Sequence, residues 1–270
     1  MEQKEYLIGE VSEIAGISRD TLRFYEKKGI LSPRKKDNGY RYYTEEDIFN
    51  LVWILYNRKS NFSLEELISW KEHKDYDFTY QLKKNLLCKT EEEYAVLTHH
   101  QRVLMRLSLI RKDLDSIESS LDQYCIKPFP NAHILKTCPD YRTALTEWYK
   151  LSAIPGLDMT YFYNCFSLNG SSASLNKTDL LFYSEAEPSL DPGFSLSPFP
   201  KTVSVPCVYT VIKTDSRCPS PKSLLKVREW ACASNILTED YIYSNNMIYR
   251  DGDYPSIYYL ELYLPIRSHT

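Results

Sequence analysis

The apolar positions of this chain change period twice, and the changes divide it into three stretches. Up to about residue 80 they form short helical sets. Ile8, Val11, Ile14 and Ala15 recur at steps of three and four, as on one face of a helix. Gly16-Ile17-Ser18 breaks that helix and starts another. Ser18 is suited to cap the new helix, because its hydroxyl can accept a free amide of the first turn, and Asp20 suits the positive end of the helix dipole. Leu22 and Tyr25-Glu26 carry the helix to Lys28, and Gly29 stops it. Two short helices joined by a tight turn make a helix-turn-helix. Asn38-Gly39 then reads as a hairpin turn, with a basic side before it and Tyr40-Arg41-Tyr42-Tyr43 after it, which describes a wing. Thr44-Glu45-Glu46-Asp47 caps a further helix with Ile48, Leu51, Val52 and Leu55 as its apolar stripe. Ser63 caps a shorter one with Leu64, Leu67 and Ile68.

The second stretch, 81–125, predicts one long helix. Val96, His100, Val103, Leu107, Ile110, Leu114, Ile117, Leu121 and Tyr124 alternate steps of four and three, with no Gly or Pro inside. A lone helix cannot bury such a stripe, so it needs a partner helix or its own domain; a homodimer is the expectation. Ile126-Lys127-Pro128-Phe129-Pro130 ends the helix and reads as a linker, 126–130. The third stretch, 131–270, alternates strand and helix patterns twice. Ala132–Leu135, a helix over Asp140–Leu151, Met159–Leu168 and Leu180–Tyr183 form the first set. Val203–Ile212, a helix over Ser223–Ser234, Ile242–Tyr249 and Ser256–Ile266 form the second. Two strand-helix-strand-strand units in tandem predict an α+β domain with pseudo-twofold symmetry. The whole is an α+β multidomain chain: a winged helix-turn-helix over 1–80, a coiled-coil dimerisation helix over 81–125, and an effector domain over 131–270.

Composition refines this. The 270 residues suit two domains, and a 43% hydrophobic content excludes disorder. No apolar run approaches the roughly 18 to 20 residues that span a bilayer. The charged start, Met1-Glu2-Gln3-Lys4-Glu5, is followed by no apolar signal region, so the expected compartment is the cytosol, without membrane attachment. The net charge of -3 conceals a local excess. Between Arg19 and Arg41 eight basic side chains face three acidic ones, a net of +5 and an electrostatic footprint for nucleic acid. The seven cysteines are widely spaced, which argues against a disulfide framework or a zinc knuckle. The 23 tyrosines offer flat apolar faces with polar tips, suited to aromatic or cationic ligands or simply to strands.

Ile8-Gly9-Glu10-Val11, Leu22-Arg23-Phe24-Tyr25-Glu26, Gly29-Ile30-Leu31-Ser32-Pro33 and Gly39-Tyr40-Arg41-Tyr42-Tyr43, in this order and spacing, resemble the MerR family of bacterial regulators over roughly residues 6 to 70. The resemblance implies two wings and two recognition helices on double-stranded promoter DNA, an antiparallel dimerisation helix, and RNA polymerase as partner. It also implies promoters whose spacer is over-long, brought into register by bending and untwisting. The last 140 residues are similar to the gyrase-inhibitor-like effector domain of multidrug-sensing members, on the tandem order and on Glu261 before Leu264-Pro265-Ile266.

The candidate DNA-binding residues follow. Ser18 and Arg19 open the recognition helix, with Arg19 placed to reach base edges. Arg23 and Tyr25 match the family's Arg-x-Tyr, suited to phosphate, and Tyr40, Arg41 and Tyr42 match its wing contacts. For Tyr25 and Tyr42, packing in the small core is the alternative. In the last strand Tyr259, Glu261 and Tyr263 share one face, and Leu260, Leu262 and Leu264 the other. A buried Glu261 would need a cationic partner or a proton, and a lipophilic cation among aromatic faces is the simplest ligand that fits. A solvent-facing Glu261 on an edge strand is the alternative. By similarity of position Tyr141, Tyr161 and Tyr258 correspond to ligand-lining tyrosines of multidrug-sensing relatives; Trp148 and Tyr163 complete the candidate lining. Those relatives can carry a glutamate in the strand after the second helix, where this chain has Tyr241-Ile242-Tyr243-Ser244, so a neutral aromatic ligand stays open.

Two other functions remain open from the residues. A thiol or metal sensor would use Cys88 and Cys125, near the ends of the long helix, although neither has further ligands close by. A hydrolytic C-terminal domain would pair Glu261 with Trp148 or Trp230, but no nucleophile-base-orienter set is visible. No catalytic residue, metal or cofactor is therefore expected.

Overall fold

The computed structural model describes residues 4–72, 78–250 and 256–267. Residues 1–3 and 73–77 of the predicted DNA-binding stretch, and 251–255 and 268–270 of the predicted effector stretch, lie outside the described residues. The chain forms two compact units, Met1–Val96 and Leu97–Thr270.

The first unit begins with β1 (Glu5–Leu7), α1 (Ile8–Ala15) and α2 (Arg19–Lys27). Gly16, at φ +66°, makes the turn between the helices. The Ser18 hydroxyl accepts the Thr21 amide at 3.1 Å, the cap expected for α2. The wing follows as β2 (Arg34–Lys35) and β3 (Arg41–Thr44), joined through Gly39 at φ +80°. Strand β3 lies between β1 and β2. Strand β1 carries no alternation that sequence patterning could register; it exists because Glu5, Tyr6 and Leu7 pair with β3. Helix α3 (Glu45–Lys59) starts at a reciprocal Thr44–Asp47 capping box, and α4 (Leu64–Glu72) at the Ser63–Glu66 pair. The stripe of α3 differs at one position. Ile54 is buried with Leu51, whereas Val52 is exposed, because the core lies toward Phe62, Leu67 and Trp70 of the following segment.

Helix α5 covers Phe78–Ser120 and so contributes residues to both units. It stops five residues before the expected end, with Asp122 at φ +53° and its amide bonded to the Val211 carbonyl. The expected linker 126–130 is not one: Cys125–Pro128 is β4, an edge strand paired antiparallel with β8. Prolines are tolerated there because an edge strand leaves amides free of ladder bonds.

The second unit continues β5 (Ala132–Cys138), α6 (Tyr141–Ser152), β6 (Tyr161–Asn169) and β7 (Ser172–Tyr183). The same order returns as β8 (Pro206–Thr214), α7 (Pro221–Ala233), β9 (Tyr241–Arg250) and β10 (Ile257–Pro265). Asp140 caps α6 and Ser220 caps α7. The sheet order is β4-β8-β10-β9-β6-β7-β5, so the two repeats meet at the β9–β6 pair and mirror one another outward from it. Strand β7 begins well before the expected Leu180, because Ser172–Lys177, mostly polar and largely exposed apart from Ala173, pairs with β6.

The sheet has two different faces. One carries Phe166, Leu168, Val208, Ile242, Leu262 and Leu264, packed with Leu224, Val227 and Ala231 of α7. Phe162 of the same face meets Trp148 of α6. The other face carries Tyr161, Tyr163, Tyr209, Tyr263 and Glu261, and packs against Met105, Leu109 and Ile117 of α5. The period of two along each strand separates these sets.

Candidate DNA-binding surface and effector site

In the first unit, burial of Leu22 and Tyr25 in α2 turns Arg19, Arg23 and Lys27 outward. Arg23 bonds Asp20 at 3.0 Å with both side chains largely exposed, an ion pair that water screens and that DNA phosphate can replace. Gly9 of α1 lets the Arg19 guanidinium lie close, since a Cβ there would come within 3.0 Å of Nη2. Tyr40 is exposed at the wing tip. Arg41 donates Nε–H to Glu26 at 2.5 Å, tying the wing to α2. Tyr42 is half-buried; its hydroxyl accepts from Asn38 at 2.9 Å, and the Lys36 ammonium lies 4.2 Å from its ring centre. Tyr25 is 7% exposed, and its ring packs in the core with Val11 and Ile30. Ser18, Arg19, Arg23, Tyr40, Arg41 and Tyr42 remain on one small winged unit as a surface set.

In the second unit, Glu261 lies on β10, an interior strand, and is 3% exposed. The solvent-facing alternative is excluded. Four neutral donors reach the carboxylate. Tyr163 donates to Oε1 at 2.6 Å and Asn245 at 3.0 Å, while Tyr263 and Tyr209 donate to Oε2 at 3.0 and 3.3 Å. The Tyr163 proton is used on Glu261, so Tyr183, 2.7 Å away, donates to the Tyr163 hydroxyl. Tyr161 stacks on Tyr183 with centroids 4.5 Å apart. Burial first, and the Glu261 charge second, push the Tyr163 and Tyr263 phenols well above their ordinary value, so they stay donors. Among the described residues no lysine, arginine or histidine forms an ion pair with Glu261; hydrogen bonds from neutral groups satisfy its oxygens.

Two ammonium groups lie against these tyrosines. Lys127 lies 4.2 Å from the Tyr209 ring centre and Lys112 5.1 Å from that of Tyr183. A cavity of about 240 Å³ adjoins on the same sheet face, lined by Phe129, Leu181, Tyr241 and Tyr243 among others. Phe129 belongs to both places, since it also stands edge-on to Tyr163 and Tyr263 at 5.5 and 5.4 Å.

Of the residues expected around Glu261, Tyr161 and Tyr163 are there. Tyr141 and Trp148 are not, because both meet Phe162 on the α6 side of the sheet. Tyr258 is not either, as alternation puts it on the face of Leu260 and Leu262. The pairing of Glu261 with Trp148 or Trp230 fails for the same reason: Trp230 stacks on Tyr124 at 5.1 Å beside α7. Among the described residues no three potential metal-ligating side chains gather, and Cys88 and Cys125 are each exposed. Sequence reasoning missed Tyr183, Tyr209, Asn245 and Asp113. Asp113 had a signal: Arg102, Arg106, Leu109, Asp113, Ser116 and Ser120 step by four and three, a second stripe on α5 that its polar members disguised.

A winged helix-turn-helix with a basic, solvent-facing second helix defines a DNA-binding transcription regulator. Residues 6–73 match the family model described as MerR HTH family regulatory protein. The transcriptional regulator ZntR of Escherichia coli K12 is 34% identical over 110 residues, covering 38% of this chain and 78% of ZntR. The chain belongs to the MerR family, whose members are transcription regulators rather than enzymes. The transcriptional activator mta of Bacillus subtilis is 32% identical over 91 residues, 33% of this chain and 35% of mta. The crystal structure of the N-terminus of the B. subtilis multidrug transporter activator, MtaN, is 30% identical, covers 35% of this chain and 92% of MtaN, and superposes with a TM-score of 0.29.

Proposed function

We propose that the protein is a ligand-gated, homodimeric regulator that senses lipophilic aromatic or cationic compounds through the Glu261 cluster. The single observation that carries this reading is a buried carboxylate ringed by tyrosines and held only by neutral donors. Such a site lacks one positive charge, and aromatic faces favour a cation. In this reading Ser18, Arg19, Arg23, Tyr40, Arg41 and Tyr42 grip promoter DNA, and the ring of Tyr25 supports them from the core. The dimer bends and untwists an over-long spacer so that RNA polymerase, in the cytosol, can engage both promoter elements. Dimerisation is supported by α5, where Val96, Leu107, Ile110 and Leu114 are exposed at heptad spacing; Ile117 and Leu121 instead pack on the second unit's core. The effector segment in this reading begins at β4 and not at 131.

The test is gel shift and in-vitro transcription on the promoter of the protein's own gene, with and without aromatic cations. Transcription rising only with ligand is expected. Glu261→Gln keeps the shape and removes the charge; it should weaken cation binding by about 100-fold, roughly 3 kcal/mol, with DNA affinity unchanged. A chain that selects no DNA from a random pool would end the reading as a regulator. Equal cation affinity in Glu261→Gln would end the reading of the site.

A further inference from the structure

The cavity of about 240 Å³ on the tyrosine face of the sheet meets the Glu261 cluster at two cross-strand pairs. Tyr243 of its lining stands opposite Tyr263, and Asp179 of its lining opposite Tyr163. One ring belongs to both places. Phe129 lines the cavity, lies 4.8 Å from the Tyr243 ring centre, and stands 5.5 and 5.4 Å from those of Tyr163 and Tyr263, two of the Glu261 donors. Its backbone is fixed: the Phe129 amide donates to the Val205 carbonyl at 2.8 Å, and its carbonyl accepts from the Ser204 hydroxyl at 3.0 Å. Movement at this place is therefore left to the side-chain rotamer. Phe129, Ile134, Leu181, Val205, Tyr241 and Tyr243 give the cavity an apolar and aromatic wall. The buried acid in it is already matched, since Asp179, 2% exposed, accepts from the Thr137 hydroxyl at 2.6 Å and pairs with Lys177 at 2.7 Å. Thr202 donates to the Pro130 carbonyl at 2.6 Å, and Lys201 is exposed to water. These groups ask no charge of an occupant. The volume exceeds the roughly 150 Å³ in which an apolar cavity holds a benzene ring.

We propose that this cavity is the aryl subsite of the effector site and that Phe129 sets its size limit: a cationic ligand lays its aromatic arm against Tyr241 and Tyr243, and its charged end reaches Glu261 as the Phe129 ring turns aside. The proposal rests on the reading of the Glu261 cluster as the effector site, and deepens it by naming the ligand class. That class is an arylalkyl quaternary cation with a short link between charge and ring, because a single phenyl ring spans the two places. The two ends contribute differently. Attraction to Glu261 depends on the charge and not on the arm, whereas burial in the cavity depends on the arm and not on the charge. Substitutions at Glu261 and at Phe129 therefore separate them.

Calorimetric titration of the full chain with tetramethylammonium, benzyltrimethylammonium and naphthylmethyltrimethylammonium reads the two contributions. In the wild type the benzyl cation should bind about ten-fold more tightly than tetramethylammonium, the return on burying one aromatic ring. Phe129→Ala enlarges the cavity and should raise the naphthyl-to-benzyl affinity ratio by about ten-fold over the wild type. Phe129→Leu should shift that ratio in the same direction by less, and serves if the Ala variant folds poorly. Glu261→Gln should weaken all three cations alike and leave the ratios unchanged. In methyl-labelled protein, nuclear Overhauser contacts are expected from the aryl protons to the methyl groups of Ile134, Leu181 and Val205. A naphthyl-to-benzyl ratio that is the same in the wild type and both Phe129 variants, or aryl contacts missing from those methyl groups, would overturn this inference; the Glu261 reading stands if Glu261→Gln still loses affinity. If the wild type binds none of the cations, both readings fall.

Discussion

The two units use charge in opposite ways. In the first, Arg23 and Asp20 meet in water, and their pair can be exchanged for a phosphate at little cost. In the second, Glu261 is removed from water and held by three tyrosines and an asparagine. The same contrast runs through the tyrosines. Tyr40 is a solvent-facing ring at the wing, while Tyr163, Tyr209 and Tyr263 are buried donors to one carboxylate. Low dielectric makes the difference: an unmatched charge matters little at the surface and a great deal inside. A surface suited to a polyanion can therefore be built from exposed residues one by one. A pocket suited to a cation needs several elements to enclose one charge.

The largest expected effect tests the enclosed side. Asp113 has a folded-state pKa near 7 against 3.8 for an ordinary aspartate. The folded chain thus holds a proton that the unfolded chain has lost between about pH 4 and pH 7, and stability falls as pH rises through that window. The contribution is fully present below about pH 4 and is gone above about pH 7, up to about 4 kcal/mol for a shift of roughly three units. Asp113→Asn should remove this slope and be the more stable chain at pH 8. Urea unfolding of both chains at pH 4.5 and pH 8 measures it; parallel pH profiles would mean that Asp113 is solvated. A smaller effect tests the exposed side. Arg23→Ala should weaken binding to promoter and random DNA alike by about 1 to 2 kcal/mol and lower the salt slope by about 1, because a phosphate contact carries no sequence information. A loss confined to the promoter would instead make Arg23 a base reader. The smallest concerns the frame beneath that surface: Ser18→Ala removes the α2 cap and should cost about 1 kcal/mol of stability, read by thermal unfolding.

The parts legible in the sequence are those where cause and effect lie within a few residues. The Ser18 cap, the Gly16 and Gly39 turns and the Thr44 box all act over three or four positions, and each occurs where the pattern predicts it. The tandem strand-helix-strand-strand order was legible for the same reason, from period and caps alone. The errors lie where a distant element intervenes. Residues 126–130 read as a linker because two prolines and a polar residue break every local pattern, yet β8 offers Cys125–Pro128 an edge. Tyr141 and Trp148 look like pocket residues by position, and the side of the sheet on which α6 packs removes them from it.

By itself, then, the sequence determined the winged helix-turn-helix, its basic face, the length of α5 to within a turn or two and the alternation that pairs Glu261 with Tyr259 and Tyr263. Tertiary structure alone decided that Glu261 is buried, that three of its four donors come from β6, β8 and β9, and that Asp113 of α5 is buried. The physical reason is range. Caps, turns and helical stripes are written in neighbours, whereas Tyr163 and Glu261 are 98 residues apart and meet only because the two repeats join at β6 and β9.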